Sequence, residues 1–195
     1  MFSFRTAVVV GSLISAWTGQ LAAQAGRGIS YEVAWMWVGK SSIDGESIDD
    51  TQGKRFGVEG QVIVTASKTS VGLGLSHTRV FQFSDASASQ TQVFLDIRQV
   101  FAQAGRLGAL YISARGGLGT FSCGFCDSGI DGPATATAGG GAGLLVALSE
   151  SITLDIGAQY HPLNHWTAKN AEFTYKNRPY GVLRAGLAFS PKRKS

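Results

Sequence analysis

Charge is scarce in this chain. Only 15% of its residues are Asp, Glu, Lys or Arg, against roughly 25% in soluble domains, so the sequence does not supply an ordinary water-facing surface. Proline is rarer still, at 4 of 195 residues, while 11 Phe, 5 Tyr and 4 Trp are present. That balance excludes disorder, because disordered chains are rich in Pro, Glu and Lys and poor in aromatics. Two cysteines are too few for a small disulfide-framed domain. Basic residues exceed acidic ones by 17 to 13, an excess too small to make the basic footprint of a nucleic-acid binder. Past the N-terminal segment, apolar runs stop at about six residues, as in Val33 to Val38 and Leu144 to Leu148, so no helix of the ~20 residues needed to span a bilayer is available. What the chain has in excess is glycine, 26 of 195, where about 7% is usual.

The N-terminus carries Arg5, then an apolar run from Thr6 to Trp17, then Ala23-Gln24-Ala25. This is the pattern of a secretory signal peptide with a small-x-small cleavage site after Ala25. The run is nearer a dozen residues than a membrane-spanning length. The mature protein is expected to be a single domain over residues 26–189 with a basic tail, residues 190–195.

Alternation runs through the mature chain. In Ile29-Ser30-Tyr31-Glu32-Val33-Ala34-Trp35-Met36-Trp37 every odd position is large and apolar or aromatic, the period of a strand with one apolar face. The rhythm returns around Phe56 to Val64, Val71 to Leu75, Val93 to Phe101, Leu110 to Leu118, Leu144 to Leu148, Ile152 to Tyr160 and Leu183 to Phe189, giving eight strands. Tight connections fall at Ala66-Ser67, Gln103 to Arg106 and Ser149-Glu150, and longer polar ones at Gly39 to Thr51, Ser84 to Ser89, Ser122 to Pro133 and His161 to Pro179. Short turns at one rim and long loops at the other are the plan of an up-and-down transmembrane barrel.

Parity then sorts the charges. The apolar face carries no Asp, Glu or Lys and one Arg, Arg79, which with His77 lies toward the outer end of the third strand. The other face carries Glu32, Arg55, Glu59, Asp96, Arg98, Arg115, Asp155 and Arg184. A soluble barrel with an apolar ligand cavity reverses this arrangement, so the sorting points to lipid outside and an ion-paired interior. Gly72, Gly74, Gly117, Gly119, Gly141, Gly143, Gly157 and Gly186 share the inward parity, where a narrow barrel needs room. With Phe94, Tyr111 and Phe121 also inward, a wide aqueous channel is not expected. Trp35, Trp37, Phe81, Phe83, Phe101, Tyr160 and Phe189 fall at strand ends, the place of an interfacial aromatic girdle.

On these features the chain is similar to the small outer-membrane β-barrel family of Gram-negative bacteria, which includes the membrane domain of outer-membrane protein A. The final strand, Tyr180 to Phe189, resembles the family's closing strand with its terminal aromatic, although here Ser190-Pro191-Lys192-Arg193-Lys194-Ser195 follows it. The resemblance implies an all-β, eight-stranded antiparallel up-and-down barrel in the outer membrane. It further implies contact with outer-membrane lipid and lipopolysaccharide, and no cofactor.

Three segments carry residues of chemical interest. Cys123-Gly124-Phe125-Cys126 lies in an expected outer loop and reads as a local disulfide in an oxidising compartment. A zinc site joining Cys123 and Cys126 to His161 and His165 has a gap of 34 residues between the pairs, far outside finger spacing, so no metal is assigned. Tyr160-His161-Pro162-Leu163-Asn164-His165 resembles the His-x-Ser-Asn segment of outer-membrane lipid A deacylases, with Glu172 as the nearby acid, but Leu163 stands where the serine nucleophile would be. No catalytic residue is therefore assigned. The expected role is a monomer with structural or surface-interaction duties, its loops meeting an extracellular ligand or surface. A lipid hydrolase and a narrow ion pore are the alternatives.

Overall fold

The computed structural model describes residues 28–39, 42–43, 46–47, 56–83, 86–103, 108–123, 134–164, 167–169, 174–176 and 180–191. The signal segment 1–25, Arg55, Cys126, His165, Glu172 and the end of the basic tail lie outside these residues.

Eight long strands form the body: β1 (Gly28–Val38), β2 (Phe56–Ala66), β3 (Thr69–Phe83), β4 (Ala86–Gln103), β5 (Ala109–Cys123), β6 (Thr135–Ala147), β7 (Ile152–Asn164) and β8 (Tyr180–Phe189). Each pairs antiparallel with its sequence neighbours, and β1 pairs with β8, from Tyr31 opposite Phe189 to Val38 opposite Val182. The sheet is thus a closed eight-stranded barrel with no free edge. Two short ribbons, Ser42–Ile43 with Glu46–Ser47 and Thr167–Lys169 with Thr174–Lys176, lie in the β1–β2 and β7–β8 connections.

Local chemistry makes the tight turns at one rim. Ser67 and Lys68 link β2 to β3, with Ser67 in the left-handed region at φ 61°. Gly108, at φ 127°, sits where a β-carbon would run into the backbone carbonyl of Leu145, so this position admits glycine alone. Between β6 and β7 the Ser149 hydroxyl accepts hydrogen bonds from the amides of Ser151 at 3.2 Å and Ile152 at 3.1 Å, replacing the missing ladder partners with a side chain.

The opposite end differs from the sequence expectation. Ser84 to Ser89 reads as a loop, yet β3 and β4 stay paired up to Phe83 opposite Ala86. Strands β5 and β7 likewise run on to Cys123 and Asn164. The added residues of β4, Ala86 to Gln92, are Ser, Thr, Gln and Ala, without the apolar alternation that marks a strand in sequence. Interstrand backbone hydrogen bonds hold them regardless of side-chain polarity.

The burial pattern alternates along the strands with inverted polarity. Leu73 and Leu183 on the outside are 61% and 62% exposed, while Asp96 and Asp155 on the inside are 0% exposed. Outward rows of Val, Leu, Ile and Trp and an inward polar core reverse the pattern of a water-soluble barrel.

Candidate functional site: the ion-paired lumen

Six strands send charge inward: Glu32 from β1, Glu59 from β2, Asp96 and Arg98 from β4, Arg115 from β5, Asp155 from β7 and Arg184 from β8. The tertiary structure joins all seven. Arg98 reaches Glu32, Asp96 and Asp155, each at 2.9 Å. Arg115 reaches Glu59 at 2.7 Å and Asp96 at 3.3 Å. Arg184 pairs with Glu32, with Glu59 at 2.7 Å and with Asp155 at 3.1 Å.

Each of the four carboxylates bridges two arginines. The result is a ring, Arg98–Glu32–Arg184–Glu59–Arg115–Asp96, closed back onto Arg98 and cross-braced by Asp155 between Arg98 and Arg184. Burying ions in isolation costs several kcal/mol each, so the arrangement is stable only because every member is compensated. Arg55, the remaining charge expected on this face, lies outside the described residues.

Strands β3 and β6 contribute no charge to the ring, and their inward positions are rich in glycine. A β-carbon on Gly74 would come within 2.5 Å of the Phe94 ring, and one on Gly143 within 2.5 Å of Tyr111. The two aromatics occupy the space these glycines leave and carry the arginines on their faces. The Arg115 guanidinium lies 3.8 Å from the Phe94 ring centroid and that of Arg98 5.3 Å from Tyr111, both within cation–π range. Tyr111 also donates its hydroxyl to Asp155 at 2.7 Å, and Gln61 donates its amide to Glu32 at 3.1 Å. Glycine, aromatic ring and guanidinium are therefore stacked twice around the wall. Glycine parity makes room legible in sequence, but which aromatic fills it depends on strand register.

Above the ring the lumen stays polar. Gln92 donates to Thr137, and Gln90, Thr78, Ser76 and Gln159 are buried inside the same barrel. His161 is buried and stacked on Tyr180, ring centroids 5.2 Å apart. Its ring points inward over Gly139, whereas a lipid hydrolase works on substrate from the bilayer side. Cys123 ends the β5 backbone, and the proposed disulfide with Cys126 falls outside the described residues, as does the His165 half of a zinc site.

On the outside, Trp35, Trp37, Phe101, Tyr160 and Phe189 are all exposed. Trp37 lies in register with Phe56, and Tyr31 with Phe189, so Phe56 and Tyr31 join the two aromatic levels as members that strand-end reasoning overlooked. Phe81 and Phe83 belong to the β3 backbone, their side chains outside the described set.

No family model matches the chain, and no curated protein matches it in sequence. Solved structures do resemble it. Neisserial surface protein A superposes with a TM-score of 0.64 at 15% identity, over 84% of this chain and 97% of that one. The fold is that of the small outer-membrane barrels. OprG from Pseudomonas aeruginosa gives a TM-score of 0.54 at 12% identity, over 87% of this chain and 99% of its own. Ail, the attachment invasion locus protein of Yersinia pestis, solved with the heparin analogue sucrose octasulfate, gives 0.51 at 15% identity, covering 85% and 99%. At such low identity the likeness speaks for architecture.

Proposed function

We propose that this chain is an outer-membrane barrel, delivered by its cleaved leader, that closes its lumen with the arginine–carboxylate ring and uses the rim opposite the tight turns for surface interaction. One observation carries the reading: the wall is apolar where a soluble protein is wet, and charged where a soluble protein is dry. A structure of this polarity has a low free energy only with hydrocarbon around it, since burying the outward rows recovers roughly 25 cal/mol for each Å² of apolar surface removed from water. The closed ring supports a scaffold in preference to a diffusion pore, and the absent serine at Leu163 weighs against a hydrolase.

The test is membrane fractionation combined with gel migration. The reading expects the chain in the outer-membrane fraction, with Gly26 as its first residue, running compactly on a denaturing gel until boiled. Migration unaffected by heating, or recovery in the soluble fraction, would refute it. Planar-bilayer recordings add a second check, since large steady conductance would contradict the closed lumen.

A further inference from the structure

The outward face is apolar row by row until it reaches the upper end of β3, β4 and β5. There Leu75, Val93 and Leu118 form one register row across the three strands. The next outward row is His77, Thr91 and Thr120, and the one above it is Arg79, Ser89 and Ser122. The wall thus passes in a single step from apolar side chains to an arginine, a histidine and four hydroxyls. Among the residues of the eight barrel strands whose side chains are described, no acid and no other Arg, Lys or His faces outward.

The height of this step is set by the aromatics. His77 lies in register with Val58, which is itself opposite Trp35, and the Arg79 guanidinium lies 5.4 Å from the ring centroid of Phe56, the partner of Trp37. The patch therefore sits at the level of the upper girdle, where an outward arginine is tolerated, and not at the midplane, where it is costly. Thr91 Oγ1 lies 3.0 Å from Nδ1 of His77, and the histidine is exposed.

We propose that Arg79, His77, Ser89, Thr91, Thr120 and Ser122 form a binding site for the phosphate group of a lipid headgroup, whose acyl chains lie along Leu75, Val93 and Leu118 beneath it. The proposal rests on the membrane reading above and names a partner for it. The chemistry fits phosphate because a guanidinium presents a planar fork of donors to its oxygens, and hydroxyls and an imidazole supply further donors around it. A bilayer lipid is favoured over a dissolved anion because the patch is continuous with the apolar wall.

The experiment uses the full mature chain folded in a phosphate-free maltoside detergent and titrated with bisphosphorylated lipid A, with lipid A stripped of both phosphates, and with inorganic phosphate. Native mass spectrometry reads retained lipid, and heat-shifted gel migration reads folding in every sample. The site predicts retention of the phosphorylated lipid, weakened about tenfold both by the double substitution H77Q/R79Q and by removal of the phosphates. K68Q, at the opposite rim, should bind like the parent. Equal binding by the double variant or by the stripped lipid overturns the site, and displacement by millimolar inorganic phosphate reassigns it to a soluble anion and overturns the lipid assignment. If the parent chain migrates as a folded barrel without discriminating the lipids, only this site falls. If it never shows the folded migration, the membrane reading falls with it.

Discussion

Arg98 on β4 and Asp155 on β7 meet at 2.9 Å although β5 and β6 separate their strands in the sheet. Their contact crosses the barrel interior and does not follow the wall. Arg98 also holds Glu32 and Asp96, so one guanidinium ties together β1, β4 and β7. The lumen is thereby braced as well as filled.

Removing that brace leaves carboxylates facing one another. Arg98→Met is expected to destabilise the folded barrel by about 3–5 kcal/mol, the range for breaking a buried ion pair on one side only. Urea unfolding of the chain in lipid vesicles, followed by loss of compact gel migration, measures it. A variant as stable as the parent would show that the ring contributes nothing.

The aromatic supports predict a smaller effect. Tyr111→Phe keeps the ring beneath Arg98 but deletes the 2.7 Å hydrogen bond to Asp155, at an expected cost of about 1–3 kcal/mol. The same unfolding assay should place this variant between the parent and Arg98→Met.

Glycine on β6 is expected to resist enlargement. At Gly141 a β-carbon would meet the backbone carbonyl of Ala158 on β7, an atom that cannot swing aside as a side chain does. Gly141→Val should cost at least about 1–3 kcal/mol through overpacking, and folding yield in detergent should fall with it. Gly60 faces outward with only one distant neighbour, so Gly60→Val is predicted to fold normally.

The outer face gives the opposite sign to that of a soluble protein. Leu73→Arg places charge on an exposed position that water would welcome, yet in a bilayer it should cost about 2–4 kcal/mol near the midplane. Comparing unfolding in vesicles with that of Leu73→Ala isolates the charge from the lost packing. No penalty beyond that of the alanine variant would argue that this surface does not face lipid.

Strand number, inside and outside, and the crowding that calls for glycine were legible in the chain, because a period of two sorts side chains locally whatever the strand's partner is. Alternation was silent about Ala86 to Gln92 of β4, since beyond the apolar band neither face needs grease and the backbone alone keeps the strands together. It was equally silent about which arginine meets which acid. Residues as far apart as Glu32 and Arg184 become partners through closure of β1 on β8 and the stagger of every strand between them. Local sequence thus determined which residues turn inward. Only the tertiary structure decided their ring, because pairing across a lumen depends on register summed around the whole barrel.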